Sequence, residues 1–172
     1  MADEWTIHHT DATFHAAMEG DREPLSFVLR GAIYIEHALI AFIESRVEYP
    51  RALDNARLSY AQRIEVALAL GLPPTLGPPL RKVGSIRNKF AHQPETILTE
   101  ADITALYDDF QKFEKIPLAE LYNLSLGRDK FVYEKASVMD RFIFLAHFLR
   151  SYIFLRAKYT SDGDQLNEAP GP

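Results

Sequence analysis

Three polar side chains near the middle of the chain are of types, and at a spacing, that could act on a phosphodiester. They are Arg87, Asn88 and His92, in the segment GSIRNKFAH at residues 84–92. An imidazole passes protons near neutral pH, a guanidinium binds phosphate through a planar fork, and an amide can orient either of them. Together they provide a base for a 2'-hydroxyl, an acid for the leaving oxygen and a cation for the transition state, with no metal or other cofactor.

This segment is predicted to end a helix. At 100° per residue its apolar side chains gather on one side: Val83, Ile86 and Phe90. Asn88 and His92 lie on the other side, and Arg87 lies at its edge. Pro94 disfavours helical geometry at the residue before it, so His92 belongs to the last turn, where the helix dipole favours a protonated imidazole. We therefore expect the polar side to face solvent or a partner chain.

Charge along the sequence points to one place where an anion could bind. The net charge is -5 and the sequence pI is about 5.7, which speaks against broad, charge-driven binding to duplex nucleic acid. No Asp or Glu occurs between residues 66 and 94, where Arg81, Lys82 and Lys89 accompany Arg87. These three cations are therefore candidates for binding an anion beside the motif.

Composition narrows the class of protein. The chain has 172 residues and no cysteine, which excludes disulfides and thiolate metal sites. Its beginning lacks the apolar core of a signal peptide, and no stretch approaches the roughly 18 uncharged apolar residues of a spanning helix. We expect a cytoplasmic protein without membrane contact, with one domain over residues 1–160 and a polar, disordered tail over residues 161–172.

Hydrophobic periodicity predicts helices and almost no strands. The predicted helices are Asp3–Met18, Glu23–Val47, Ser59–Leu70, a segment from the prolines at 78 and 79 to His92, a segment from Thr99, and Glu134–Lys158. In the last one, His147 and Arg150 lie among apolar residues and indicate a buried polar network or a subunit contact. The pattern favours an all-α, up-and-down bundle of about five to six helices.

Two other polar groups have a possible function. His8, Asp11 and His15 are spaced so that one helix face could hold a metal, but no fourth ligand follows, so we interpret them as surface residues and predict no metal site. Glu36 and His37 belong to a polar stripe on the second predicted helix. The stripe is either solvated surface, which we favour, or a face that lies against the motif and tunes it.

The segment IRNKFAH resembles the Arg-polar-x-x-x-His motif of the HEPN superfamily, all-α domains of which many are metal-independent ribonucleases. The segments RGAIYIEHALIAFI, SYAQRIEVALALGLP and LRKVGSIRNKFAH resemble, in order and spacing, its mannitol-operon-repressor-like branch, over residues 24–94. The resemblance implies that Arg87 and His92 form a catalytic pair with Asn88 as the adjacent polar residue. It also implies a homodimer in which two motifs face one cleft.

Two functions follow from this resemblance, and a third explanation needs no function. The first is a dimeric, metal-independent endoribonuclease that acts on single-stranded RNA in a toxin, defence or RNA-processing role. The second is a non-catalytic transcriptional regulator or interaction module, resembling the mannitol operon repressor, whose cleft holds an anion or a partner such as an antitoxin or regulatory protein. In the third, Arg87 and His92 only solvate a helix end.

Overall fold

The computed structural model of the chain describes residue 14 and residues 16–18, 23–53, 55–93, 95–110 and 131–158. Five long helices lie in these ranges: α1 (Pro24–Glu44), α2 (Tyr60–Ala69), α3 (Gly77–His92), α4 (Glu100–Phe110) and α5 (Val138–Lys158). Short 3-10 helices occupy Pro50–Leu53, Pro74–Leu76 and Tyr133–Lys135. No strand occurs within the described ranges, which confirms the predicted all-α bundle.

Local side-chain chemistry sets the ends of these helices. Ser59 and Gln62 cap the start of α2 reciprocally, because each side chain accepts a hydrogen bond from the other's backbone N–H. Thr99 and Asp102 do the same at α4, with N to O distances of 3.1 and 3.2 Å. Beyond α2, Gly71 has a φ of 98°, the left-handed geometry that glycine accepts without strain.

The predicted boundaries differ from the observed ones by a few residues. α1 ends at Glu44, three residues before the predicted end at Val47. α3 begins at Gly77, so the two prolines that follow lie inside its first turn, where their missing N–H groups leave no hydrogen bond unmade. α5 begins at Val138, because the predicted start at Glu134 falls in a separate 3-10 turn.

A single hydrophobic core lies between the helices. α1 packs along α5 and also contacts α2 and α3, while α4 contacts α3 and α5. The core includes fully buried rings from four of the helices: Phe27, Phe42, Phe90, Phe110 and Phe144. α3 is therefore held from the sides by α1, α2 and α4, which positions its polar end.

Two polar residues of α5, His147 and Arg150, are buried among apolar side chains. His147 is 4% exposed and Arg150 is 2% exposed. The Cζ atom of Arg150 lies 5.5 Å from the centre of the Phe14 ring. The centre of the His147 ring lies 5.6 Å from the same ring centre. These two side chains belong to the interior of the bundle.

α1 is the one helix in the described ranges whose length and mean hydropathy would permit it to cross a membrane. Half of its apolar window is buried inside the bundle, and the core helix of a soluble protein meets the same criteria. These properties of α1 are therefore only a weak indication of a membrane segment.

Several predictions from the sequence concern residues outside the described ranges. These are most of the first predicted helix, of which Phe14 and residues 16–18 are helical, and the side chains of His8, Asp11 and His15. Residues 111–130 and the predicted tail, residues 161–172, also lie outside them.

Candidate functional site

The candidate site lies at the carboxyl end of α3. The helix continues to His92, and the N–H of Gln93 donates to the carbonyl oxygen of Lys89 at 3.0 Å before the backbone leaves helical geometry. Asn88 and His92 are exposed, whereas the apolar side of α3 is buried. The structure thus confirms the predicted exposure of Asn88 and His92 and the position of His92 in the last turn, whereas Arg87 is not fully exposed.

Arg87 has a different environment, since it is half-buried near the phenol of Tyr60 on α2. Tyr60 is 8% exposed, and its hydroxyl donates to the carbonyl oxygen of Leu80 at 3.1 Å. Burial strongly raises the pKa of Tyr60, the carboxylate of Glu36 raises it further, and the positive charge of Arg87 lowers it. Tyr60 is therefore a neutral hydrogen-bond donor that lies close to charges from both α1 and α3.

Gly84 allows Tyr60 to lie against α3. A Cβ atom at this position would lie 2.9 Å from Cε1 and 3.1 Å from Cδ1 of the Tyr60 ring, closer than carbon atoms pack. The sequence analysis did not identify Tyr60 as part of the site. The available signal was Gly84 itself, because a glycine inside a helix often marks a close contact with a neighbour.

Two of the three cations predicted to bind an anion have carboxylate partners on neighbouring helices. Arg81 binds Glu65 of α2, with N to O distances of 2.7 and 3.1 Å. Lys89 binds Asp102 of α4 at 3.0 Å. The ion pairs of the described residues include neither Lys82 nor Arg87. The positive charge of this segment that is not neutralised by a neighbour is therefore concentrated at Lys82 and Arg87.

The two residues proposed to tune the motif have different surroundings. Glu36 forms an ion pair with Arg63 of α2, and both side chains are mostly buried, with 20% and 23% of their surfaces exposed. It also influences the Tyr60 hydroxyl, which places it on the side of α1 that faces α2 and α3. His37 is exposed. Glu36 is thus the member of this pair whose charge, like that of Arg87, acts on Tyr60.

In the part of the chain that the structure describes, no three His, Asp or Glu side chains gather as a metal site requires. Comparisons with models of known families, with curated proteins and with solved structures found no match to this chain. The fold and the site therefore define the class of protein: an all-α helical bundle with an exposed imidazole and a half-buried guanidinium near one helix end.

Proposed function

We propose that the chain is an endoribonuclease that acts as a dimer and needs no metal, with Arg87 and His92 as catalytic residues and Asn88 as a positioning residue. One observation supports this most. Arg87 is half-buried and forms no ion pair with a described residue, whereas Arg81 and Lys89 on the same helix each bind a carboxylate. A half-buried guanidinium without an ion-pair partner among the described residues is suited to bind a phosphate.

The reaction would be a transfer within the RNA strand. His92 takes the proton of a 2'-hydroxyl, whose oxygen attacks the adjacent phosphorus, and the bond to the 5'-oxygen of the next nucleotide breaks. A second imidazole donates a proton to that 5'-oxygen, which leaves a 2',3'-cyclic phosphate and a free 5'-hydroxyl. Arg87 stabilises the negative charge that develops on the other phosphate oxygens.

A dimer supplies the second imidazole. The motif of each chain has one histidine, whereas the reaction needs one imidazole as base and another as acid. Two copies that face each other across a cleft would provide one His92 as base and the other as acid.

The competing function is a cytoplasmic regulator or interaction module that binds without cleaving. It is favoured by the pairing of Arg81 and Lys89 with carboxylates, which weakens the positive surface that an RNA backbone would follow. In that case the site around Arg87 would bind an anionic group of a partner, such as an antitoxin or a regulatory protein.

The decisive experiment is incubation of the purified protein with single-stranded RNA in excess chelator, followed by analysis of the product ends. We expect cleavage with 2',3'-cyclic phosphate ends, which is lost in His92→Ala and Arg87→Ala. Arg51→Ala is the matched control, because Arg51 is an exposed arginine on the Pro50–Leu53 turn. Cleavage that persists in His92→Ala, or no cleavage of several RNAs by the folded protein, would refute the nuclease. Binding that Arg87→Ala abolishes, without cleavage, would support the regulator.

A mixing experiment tests the dimer. Wild-type chains are allowed to exchange with an excess of His92→Ala chains, and the activity is measured against the wild-type fraction. If both imidazoles are required, activity should fall with the square of that fraction, because only dimers of two wild-type chains carry a base and an acid. A linear fall would show that one copy suffices.

A further inference from the structure

A second candidate binding site lies away from the motif, where α1, α2 and the segment that joins them enclose a cleft of about 200 Å³. Four aliphatic side chains line it: Ile40, Ile43, Leu53 and Leu58. Two guanidinium groups, those of Arg57 and Arg63, and the carboxylate of Glu44 complete its lining. Apolar walls with a few charged groups are the usual composition of a small-molecule site.

Arg57 has an unusual backbone conformation. Its φ is 46°, in the left-handed region of backbone conformation that residues other than glycine rarely adopt. Such residues gather at ligand sites, where the local strain is tolerated because it aims a functional side chain. Arg57 is exposed and forms no ion pair with another described residue, so its guanidinium is available to a ligand in the cleft.

The other charged groups of the cleft limit the charge of that ligand. Arg63 is bound by Glu36, so its charge is already compensated and its position is set by the fold. Of the two guanidinium groups in the lining, only that of Arg57 forms no ion pair with a described residue. The arrangement thus favours a ligand with one negative charge, which Arg57 can bind through two parallel hydrogen bonds.

The volume of the cleft limits the size of the ligand. One water or methylene-sized group occupies about 30 Å³, so the cleft has room for about seven such groups. We propose that it binds a small aliphatic carboxylate of about six to eight carbons, with the carboxylate on Arg57 and the chain against the aliphatic walls. Binding here does not depend on RNA cleavage, since none of the lining residues belongs to the α3 motif.

Isothermal titration calorimetry with three probes tests this site: octanoate, its uncharged analogue octanamide, and butanoate. We expect octanoate to bind with a stoichiometry of one, and octanamide to bind about ten-fold more weakly, because it lacks the charge that Arg57 pairs with. Butanoate should also bind more weakly, because it covers less of the aliphatic wall. Equal affinities for octanoate and octanamide, or no heat from octanoate, would overturn the proposal.

Variants assign the site to the cleft. Arg57→Gln should weaken octanoate binding about ten-fold, and Leu58→Asn should weaken it by lowering the apolar area, whereas Arg51→Gln should bind as the wild type does. Arg51 is the matched control, because it is exposed on the same connecting segment but does not line the cleft. Unchanged binding in both cleft variants would contradict the assignment. If a variant fails to fold, the comparison of octanoate with octanamide on the wild type still decides.

Discussion

Gly84→Ala is the most informative single change, because it tests the contact that places Tyr60 beside Arg87. The added methyl would lie 2.9 Å from Cε1 and 3.1 Å from Cδ1 of the Tyr60 ring. The ring cannot move freely, since it is 8% exposed and its hydroxyl is bound to the Leu80 carbonyl. We therefore expect the clash to strain the α2–α3 contact.

Two opposing effects determine how much Gly84→Ala changes the free energy of unfolding. Overpacking a buried contact costs about 1–3 kcal/mol, while alanine is better than glycine inside a helix by about 1 kcal/mol. Gly84→Ala should therefore lower the free energy of unfolding by about 1 kcal/mol, within a range of about 0–2 kcal/mol. In a Tyr60→Val background, where the ring atoms are absent, the same change should raise it by about 1 kcal/mol.

Urea denaturation followed by circular dichroism gives the four free energies of this double-mutant cycle. Ser85→Ala is the control, because Ser85 is the exposed neighbour on the same helix and should change the free energy by no more than about 0.5 kcal/mol. The expected coupling is about 2 kcal/mol, and it comes from the reversal of sign between the two backgrounds. If Gly84→Ala has the same effect in both, the close contact with Tyr60 does not govern this position.

Three further predictions concern the groups around the two sites. Partial burial raises the pKa of Asp102, but hydrogen bonds from Thr99 and Lys89 outweigh it and hold that pKa below its usual value. Because its pKa is lower in the folded chain, the ionised Asp102 stabilises the fold at pH values above the ordinary carboxyl pKa of about 3.9. This contribution is lost as the pH falls through the lowered pKa. In Asp102→Asn, the free energy of unfolding measured with urea should thus fall less steeply below about pH 4 than in the wild type. The same pH dependence in both proteins would contradict this. Glu36→Gln removes the partner of Arg63 and a negative charge that acts on Tyr60, so it should cost about 1–2 kcal/mol of stability. It should also tighten phosphate or RNA binding several-fold in a fluorescence titration, and weaker binding would show that Glu36 supports the site instead. Arg57→Gly should raise the free energy of unfolding by about 0.5 kcal/mol, since relief of the left-handed strain outweighs the added backbone entropy. It should weaken octanoate binding about ten-fold, as Arg57→Gln does, and Arg57→Ala, which keeps the strain, should weaken binding to the same extent without gaining stability.

The helices and their ends could be predicted because they depend on residues close together in sequence. The capping pair of Thr99 and Asp102, the left-handed turn at Gly71 and the exposure of Asn88 and His92 all follow from spacings of four residues or fewer, which a linear pattern displays. The same local pattern predicted that His92 would lie in the last turn of its helix. The fold class and the exposed part of the candidate site could therefore be predicted from the sequence alone.

The electrostatics of the site depended on the tertiary structure. The run without acidic residues between 66 and 94 suggested that its cations could bind an anion beside the motif. However, Glu65 binds Arg81 from 16 residues away and Asp102 binds Lys89 from 13 residues away. Arg63 lines the cleft between α1 and α2, and its ion-pair partner Glu36, which acts on Tyr60, is 27 residues away in the sequence. Helical periodicity is a property of neighbouring residues, whereas the partner of a charge is whichever side chain the packing of another helix brings within a few ångströms.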